Sequence, residues 1–245
     1  MSVAITLATA RRVLQQLRRD PRTIALLIVV PTVLMALFRW VLSNQRASFD
    51  TIGAPVFGVF PTIVMFVVAS VATLRERRTG TLERLLTMPM HKLDLLLGYG
   101  LAFGAAAVVQ VGVCLALTLG PLGLRVQGSV WLLFLIGVLA ALLGMALGLL
   151  LSAFASSEFQ AVQFMPAVVF PQLLLCGLVT PRAKMDSVLH AISDVLPMTY
   201  AVDALQRVTK TARVEGQLVV DLVVLALVAV VALALGAATL RRRTA

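Results

Sequence analysis

Residues 52–74 read IGAPVFGVFPTIVMFVVASVATL, and residues 75–94, which follow directly, read RERRTGTLERLLTMPMHKLD. The first stretch is almost wholly apolar, and it is long enough to cross the hydrocarbon core of a bilayer, which takes about 20 helical residues. The second stretch carries charges of both signs and must return to water on one side of the membrane. Together they predict a membrane protein that presents a polar segment on one face.

The composition extends this prediction to the whole chain. Of its 245 residues, 60% are hydrophobic and 13% are charged, and the mean hydropathy is +0.99. Such values exclude an ordinary soluble domain. The fifth of the apolar stretches is the least regular, because Pro166, Pro171 and Gly177 interrupt it. The stretches long enough to span a membrane are residues 24–42, 52–74, 95–120, 130–154, 159–179 and 218–240.

The expected fold class is an all-α membrane protein with six transmembrane helices. Residues 1–22 combine leucine and valine with arginine and glutamine in a pattern typical of an amphipathic helix in the membrane interface. A basic leader that only sets the topology would have the same pattern. Residues 23–245 are expected to form a single transmembrane domain, with a polar cytoplasmic segment at 75–94. In residues 180–217, apolar side chains recur at helical spacing before and after Pro197, which predicts two short external helices that fold back onto the outer face.

Basic residues are distributed unevenly between the two sides of this topology. Of the 21 lysines and arginines, 13 lie before the first span, in the polar segment or after the last span, and 8 lie on the opposite side. By the positive-inside rule both termini and the polar segment are cytoplasmic. The net charge of +10 therefore reports topology and contact with lipid headgroups, and no nucleic-acid partner is expected. Arginine outnumbers lysine 18 to 3, and Ala, Val and Leu are abundant, as is typical of a GC-rich bacterial genome. The expected location is therefore a bacterial cell membrane.

A short amphipathic helix is predicted inside residues 75–94. Thr81 can cap it, Glu83 lies in the first turn where a carboxylate favours the helix dipole, and Pro89 ends it. One face is apolar and the other is charged, so the segment is predicted to touch a partner. The apolar face consists of Leu82, Leu85 and Leu86, and the charged face consists of Glu83 and Arg84.

Motifs of catalysis and metal binding are missing from the sequence. No stretch matches G-x-x-x-x-G-K-[ST], so the chain is not expected to bind ATP through a P-loop of its own or to be an enzyme. His91 and His190 lie on opposite predicted sides, so no metal site is expected. Asp221 lies near the start of the sixth span and is expected to snorkel to the interface. No catalytic or cofactor-binding residue is predicted.

Three motifs resemble the membrane-spanning permease subunits of ABC-2 type transporters, particularly the six-span permeases of daunorubicin-type drug-resistance exporters. The first is RERRTGTLERLL at residues 75–86, followed by Pro89; the second is Gly177 followed by Pro181; the third is LPMTYAVDAL at residues 196–205. The resemblance covers essentially the whole chain. It departs at Asp186, where relatives often have proline, and at Gln206, where many have arginine.

The resemblance implies a permease that works with a separate cytoplasmic ABC ATPase. Two copies of the ATPase, which bind ATP and Mg²⁺, would pair with two permeases, either a second copy of this chain or a close paralogue. ATP-driven closure would switch the spans between inward-open and outward-open states and export a hydrophobic or amphipathic compound, as in multidrug efflux and antibiotic resistance. The residues implied in coupling to the ATPase are Glu76, Gly80, Leu82, Glu83, Arg84, Leu85, Leu86 and Pro89.

The resemblance also places the substrate path along the dimer interface, lined by the second and fifth spans. Methionine and phenylalanine in these spans can repack around a bulky amphipathic ligand, although the same side chains commonly face lipid or pack between helices. The candidate path residues are Phe57, Phe60, Met65, Phe164, Met165 and Phe170.

Other functions stay open on the sequence alone. An ABC exporter of a lipid-linked or other cell-envelope component would be built in the same way, although two Trp and two Tyr offer few aromatic side chains for a wide glycan channel. A non-transporting scaffold or an intramembrane lipid-modifying enzyme is a further alternative. The enzyme would need carboxylates or histidines clustered at one face, and here they are scattered.

Overall fold

The computed structural model describes residues 2–81, 92–211, 213 and 216–239, and the regular secondary structure of these residues consists of helices. A 3-10 turn at Arg182–Lys184 precedes the seventh helix numbered here. The α-helices are α1 (Val3–Arg19), α2 (Pro21–Val41), α3 (Arg46–Arg78), α4 (Lys92–Leu119), α5 (Val130–Ser152), α6 (Glu158–Leu175), α7 (Ser187–Val195), α8 (Pro197–Lys210) and α9 (Gly216–Ala238).

The helices α2, α3, α4, α5 and α9 are long and apolar enough to cross a membrane. They coincide with the first, second, third, fourth and sixth predicted spans, which confirms the all-α membrane fold. Helix α6 occupies the fifth predicted span, but it is only 18 residues long and contains Pro166 and Pro171. It is not among the candidate spans, so a sixth crossing stays a prediction.

Helices α3 and α5 lie at the centre of the described fold. In their most apolar windows, 72% of α3 and 67% of α5 is buried, against 17% of α2. A Cβ at Gly144 would overlap the carbonyl oxygen of Thr62, and a Cβ at Gly148 would overlap that of Phe66. Both contacts advance by four residues along each helix, so α3 and α5 run parallel. The two glycines allow the close approach of backbones that small residues provide in membrane helices.

Helix α1 packs across α4 and begins the described chain. Its buried face includes Thr9 and Val13, and a Cβ at Gly98 of α4 would lie 2.6 Å from the Thr9 side chain. The opposite face is exposed, with Val3 at 76% and Leu7 at 56%. A helix is therefore present where residues 1–22 predict one, with one apolar face available to a membrane interface.

Residues 187–210 contain two helices that meet at Leu196, as the sequence predicts. Asp186 caps α7 by accepting a hydrogen bond from the Val188 amide at 3.0 Å, so this residue, where the resemblance leads one to expect proline, supplies a helix cap. Helix α8 also packs into the core of the described fold. Leu205 is buried against Gly58 of α3, and α8 also contacts α5, α6 and α9.

Candidate functional site

The end of α3 leads directly into the predicted coupling segment. The Thr79 amide donates to the carbonyl of Arg75 and the Gly80 amide donates to that of Arg77, which closes the last turn. Gly80 follows with φ +69°, and nothing lies within 4 Å of the place where its Cβ would be. The left-handed backbone, rather than lack of space, therefore calls for glycine here, as at many helix C-termini. The predicted coupling residues Leu82, Glu83, Arg84, Leu85, Leu86 and Pro89 lie outside the described residues.

Glu76, the first predicted coupling residue, is held by α1. Nη1 of Arg12 donates to Oε1 of Glu76 at 3.0 Å, and Nη2 donates to Oε2 at 3.4 Å. Nη2 also donates to the Tyr99 hydroxyl of α4 at 3.4 Å. The side chain of Glu76 is 12% exposed and that of Arg12 is 27% exposed. A two-point guanidinium–carboxylate contact fixes direction as well as distance, so α1, α3 and α4 are joined at one place.

Arg75, the neighbouring residue, makes a second set of ionic contacts. Its Nε donates to Oε1 of Glu158 at 3.3 Å, and its Nη2 donates to Oε2 at 3.4 Å. Its Nη1 lies 3.9 Å from Oδ2 of Asp20. These contacts link the end of α3 to the first residue of α6 and to the junction of α1 and α2. We call Arg12, Asp20, Arg75, Glu76, Tyr99 and Glu158 the α3-end network.

Asp20 has two local roles within this network. It ends α1, and it caps α2, where its Oδ1 accepts hydrogen bonds from the amides of Arg22 and Thr23 at 3.1 and 3.2 Å. The Thr23 hydroxyl donates to Oδ2 at 2.8 Å. The hydrogen bond from the Thr23 hydroxyl, followed by those from the backbone, holds the pKa of Asp20 below its usual value. An aspartate before a proline at the first helical position is a recognisable start signal.

Asp94 ties the start of α4 to the start of α1. The Ser2 amide donates to its Oδ1 at 3.2 Å, and Asp94 is fully buried. A buried carboxylate requires such polar contacts because its desolvation is costly. The sequence pattern did not identify this contact, since Ser2 and Asp94 are 92 residues apart.

The six candidate path residues do not share one surface of the described chain. Phe57 and Met65 are fully buried in the main core, where the Phe57 ring lies against Gly137 of α5. Phe60 and Met165 are half-buried and pack on a smaller cluster between α3, α6 and α8. Phe164 is half-buried, and Phe170 is 53% exposed. Phe57 and Met65 would reach a path only if α3 and α5 moved apart, and their role stays a prediction.

Asp221 does not snorkel to the interface, contrary to the expectation from its position. It is 2% exposed, and its Oδ2 lies 3.4 Å from Nε of Arg207 on α8. Gln217, one turn earlier, donates to its Oδ1 at 3.1 Å. The reason is that α8 packs against the start of α9 and supplies a cation, so the carboxylate is paired inside the fold.

Helices α7 and α8 are held by a second ionic cluster around Arg182. Its Nη1 donates to Oδ2 of Asp203 at 2.7 Å, and its Nε donates to the Ser193 hydroxyl at 3.0 Å. Its Nη2 also contacts the Asp194 carboxylate. This cluster joins the 3-10 turn, α7 and α8. Because Gly177 lies against Arg182, the Gly177–Pro181 motif and the motif at residues 196–205 meet in space.

The fold and these contacts define a polytopic helical membrane protein whose second span ends in an ionic network. Residues 5–209 match the model of the ABC-2 type transporter family, and the chain belongs to that family.

Several curated proteins are similar to this chain. The probable multidrug ABC transporter permease YbhS of Escherichia coli is 27% identical over 168 residues, which cover 68% of this chain and 45% of YbhS. The inner membrane transport permease YhhJ of Escherichia coli is 30% identical over 149 residues, covering 60% of this chain and 40% of YhhJ. ABC transporter G family member 20 of Dictyostelium discoideum is 29% identical over 57% of this chain and 19% of the relative. The chain spans less than half the length of these relatives.

Proposed function

We propose that this chain is the permease subunit of an ATP-driven exporter that removes hydrophobic or amphipathic compounds from the cell. Membership of the ABC-2 type transporter family supports a transport role, and the name of YbhS as a probable multidrug permease supports this class of substrate. The observation that carries the proposal is the position of the α3-end network. It lies immediately before the segment that we expect to dock on the ATPase.

The proposed complex has two copies of a separate cytoplasmic ABC ATPase, which hold ATP and Mg²⁺, and two permeases. The second permease is another copy of this chain or a close paralogue. The complex resides in the bacterial inner membrane, with both permease termini in the cytoplasm. Residues 82–89 dock on the ATPase, with Leu82, Leu85 and Leu86 as apolar anchors and Glu83 and Arg84 as polar orienters.

The α3-end network provides a route by which docking reaches the spans. A displacement of the docked segment moves the end of α3, because Gly80 is only two residues beyond that helix. Glu76 carries this movement to α1 and α4 through Arg12 and Tyr99, and Arg75 carries it to α6 through Glu158. Closure of the ATPase dimer would in this way shift several helices together.

The test is co-purification of the tagged chain from its native membrane, with vanadate-sensitive ATP hydrolysis as the second measurement. We expect a P-loop ATPase to accompany the wild-type chain, and we expect Leu85→Asp to lose both the ATPase and ATP-dependent uptake of a fluorescent amphipathic dye into inverted vesicles. Val195→Asp is the matched control, because Val195 is 80% exposed on the external helix α7. Unchanged co-purification and dye uptake by Leu85→Asp, at normal expression, would refute the docking role.

A further inference from the structure

A cavity of about 400 Å³ lies between α1, α2 and the adjoining ends of α3 and α4. This volume falls within the range of small-molecule and cofactor sites. Its walls are mainly apolar and come from each of these four helices, including Leu17, Leu26, Val68, Ala72 and Phe103. Its charged residues, Asp20, Arg75 and Glu76, lie at the end of α3 and at the junction of α1 and α2, so the cavity passes from apolar to charged along its length.

A second cavity, also of about 400 Å³, continues from the charged end. The two cavities share Asp20, Thr23, Leu26 and Arg75, and the second adds Pro21 and Arg22. An amphipathic ligand with a long apolar tail and a charged head therefore has a continuous place to lie. The α1–α2 junction is the level at which the first span begins, and lipid headgroups lie at that level.

The charged groups around the opening differ in whether their hydrogen-bonding atoms are already engaged. Glu76 is engaged by Arg12 through both of its oxygens, and Asp20 already accepts three hydrogen bonds from Arg22 and Thr23. Nε and Nη2 of Arg75 donate to Glu158. Its Nη1 lies 3.9 Å from Asp20, beyond hydrogen-bonding distance. Arg22 is exposed. The free donors at the opening are thus guanidinium groups, which match the geometry of a phosphate.

We propose that this cavity binds one glycerophospholipid, with an acyl chain between α1, α2, α3 and α4 and its phosphodiester at Arg75 and Arg22. Bound there, the lipid is in contact with both members of the Arg75–Asp20 pair and with the face of α3 that leads to the coupling segment. The lipid consequently supports the position of α1 against α3. This inference requires only the membrane fold and not the proposed coupling to an ATPase.

The experiment is native mass spectrometry of the delipidated full chain, titrated with palmitoyl-oleoyl phosphatidylethanolamine or with the matching palmitoyl-oleoyl glycerol, which lacks the phosphate. We expect one phospholipid to bind at least about tenfold more tightly than the diacylglycerol, because two guanidinium donors lose their anion in the latter. Glycerophosphoethanolamine, the headgroup without acyl chains, is expected not to compete. Equal binding of both lipids, or full competition by the headgroup alone, would overturn the proposal.

Two substitutions locate the site. Ala72→Phe fills the apolar cavity, and Ala36→Phe, at an exposed position of α2 outside it, adds the same ring to another span. Arg22→Gln removes a donor at the opening, and Arg19→Gln removes a neighbouring exposed charge. We expect phospholipid binding to fall about tenfold in Ala72→Phe and Arg22→Gln and to persist in both controls. If Ala72→Phe does not fold, Arg22→Gln still tests the site. Equal phospholipid binding by Arg22→Gln and Arg19→Gln would contradict the proposed site.

The readout is binding to the isolated chain, without ATPase or transport substrate. If the permease co-purifies with its ATPase but shows no phosphate-dependent lipid binding, only the lipid site is refuted. A chain that binds the phospholipid as expected but carries no ATPase refutes only the proposed function.

Discussion

At the residue scale, the two neighbours Arg75 and Glu76 make ion pairs in different surroundings. The Arg12–Glu76 pair is mostly buried, with exposed side-chain fractions of 27% and 12%. The Arg75–Glu158 pair is exposed at 57% and 44%. Exposed pairs contribute little to stability because water and salt screen them, whereas breaking a buried pair leaves a charge without a partner. Stability is therefore expected to depend on Glu76 and much less on Glu158.

Replacing Glu76 with glutamine keeps its size and removes its charge. We expect Glu76→Gln to lower the free energy of unfolding by about 1–3 kcal/mol, the range for a lost hydrogen bond to a charged group that is partly buried. Glu158→Gln is the control and should cost less than about 1 kcal/mol. Thermal unfolding of both variants in the same detergent measures the difference. Equal shifts of the two midpoints would show that burial does not separate the pairs.

Asp20 has a depressed pKa, and the sign of its pH dependence follows from that. A group whose pKa is lower in the folded state stabilises the fold above its unfolded pKa of about 4, and this contribution is lost as the pH falls through the folded value. We expect Asp20→Ala to lose about 1 kcal/mol of stability at neutral pH, as for other helix caps. The difference from wild type should shrink below about pH 4. A difference that is the same at neutral and acid pH would contradict the ionic part of the cap.

At the element scale, length and periodicity predicted most of the helices, but not their ends. The apolar run at residues 52–74 marks the part of α3 suited to a bilayer, whereas the helix extends over Arg46–Arg78 because the flanking polar residues continue it. Proline at position 197 correctly predicted the break between α7 and α8. The burial of Met198 and Val202 on α8 was not predicted, since it depends on α3 and α6 lying beside that helix.

Alanine substitutions at Gly144 and Gly100 distinguish the effect of close helix packing from that of helix propensity. A Cβ at Gly144 would overlap the Thr62 carbonyl, while nothing lies within 4 Å of a Cβ at Gly100. We expect Gly144→Ala to destabilise the protein by about 1–3 kcal/mol, as overpacking does. Gly100→Ala should be neutral or stabilise by up to about 1 kcal/mol, because alanine favours helix. Unfolding midpoints of the two variants test this, and a neutral Gly144→Ala would mean that α3 and α5 do not pack as closely as described.

At the scale of the whole molecule, the candidate site depends on contacts between distant parts of the chain. Arg12 and Glu76 are 64 residues apart, and Arg75 and Glu158 are 83 apart. A sequence pattern shows only which residues are neighbours along one helix. It therefore predicted that Glu76 is a charged residue at the end of a span, but it did not identify the residues that contact Glu76 from other helices. Asp221 was placed wrongly for the same reason, since Arg207 reaches it from another helix. The resemblance supplied the order of the motifs, and the fold brought the second and third of them together.

The orientation of the chain in the membrane decides whether the α3-end network can meet an ATPase at all. Thr79, beside the network, and Ser187, on α7, are both exposed, and Cys114 and Cys176 are buried. In a chain with both native cysteines replaced by alanine, we expect Ser187→Cys to react with an impermeant maleimide in intact cells and Thr79→Cys to react only after permeabilisation, because the positive-inside rule places residues 75–94 in the cytoplasm.

Labelling of both variants after denaturation is the control for thiol reactivity. The reverse pattern in intact cells would place the network outside, where no cytoplasmic ATPase can reach it, and would refute the coupling role of Glu76 and Gly80. The phospholipid cavity would remain, because its walls and its two arginines do not depend on which leaflet they face. The labelling experiment therefore tests the proposed function at the scale of the whole molecule while leaving the lipid site to its own measurement.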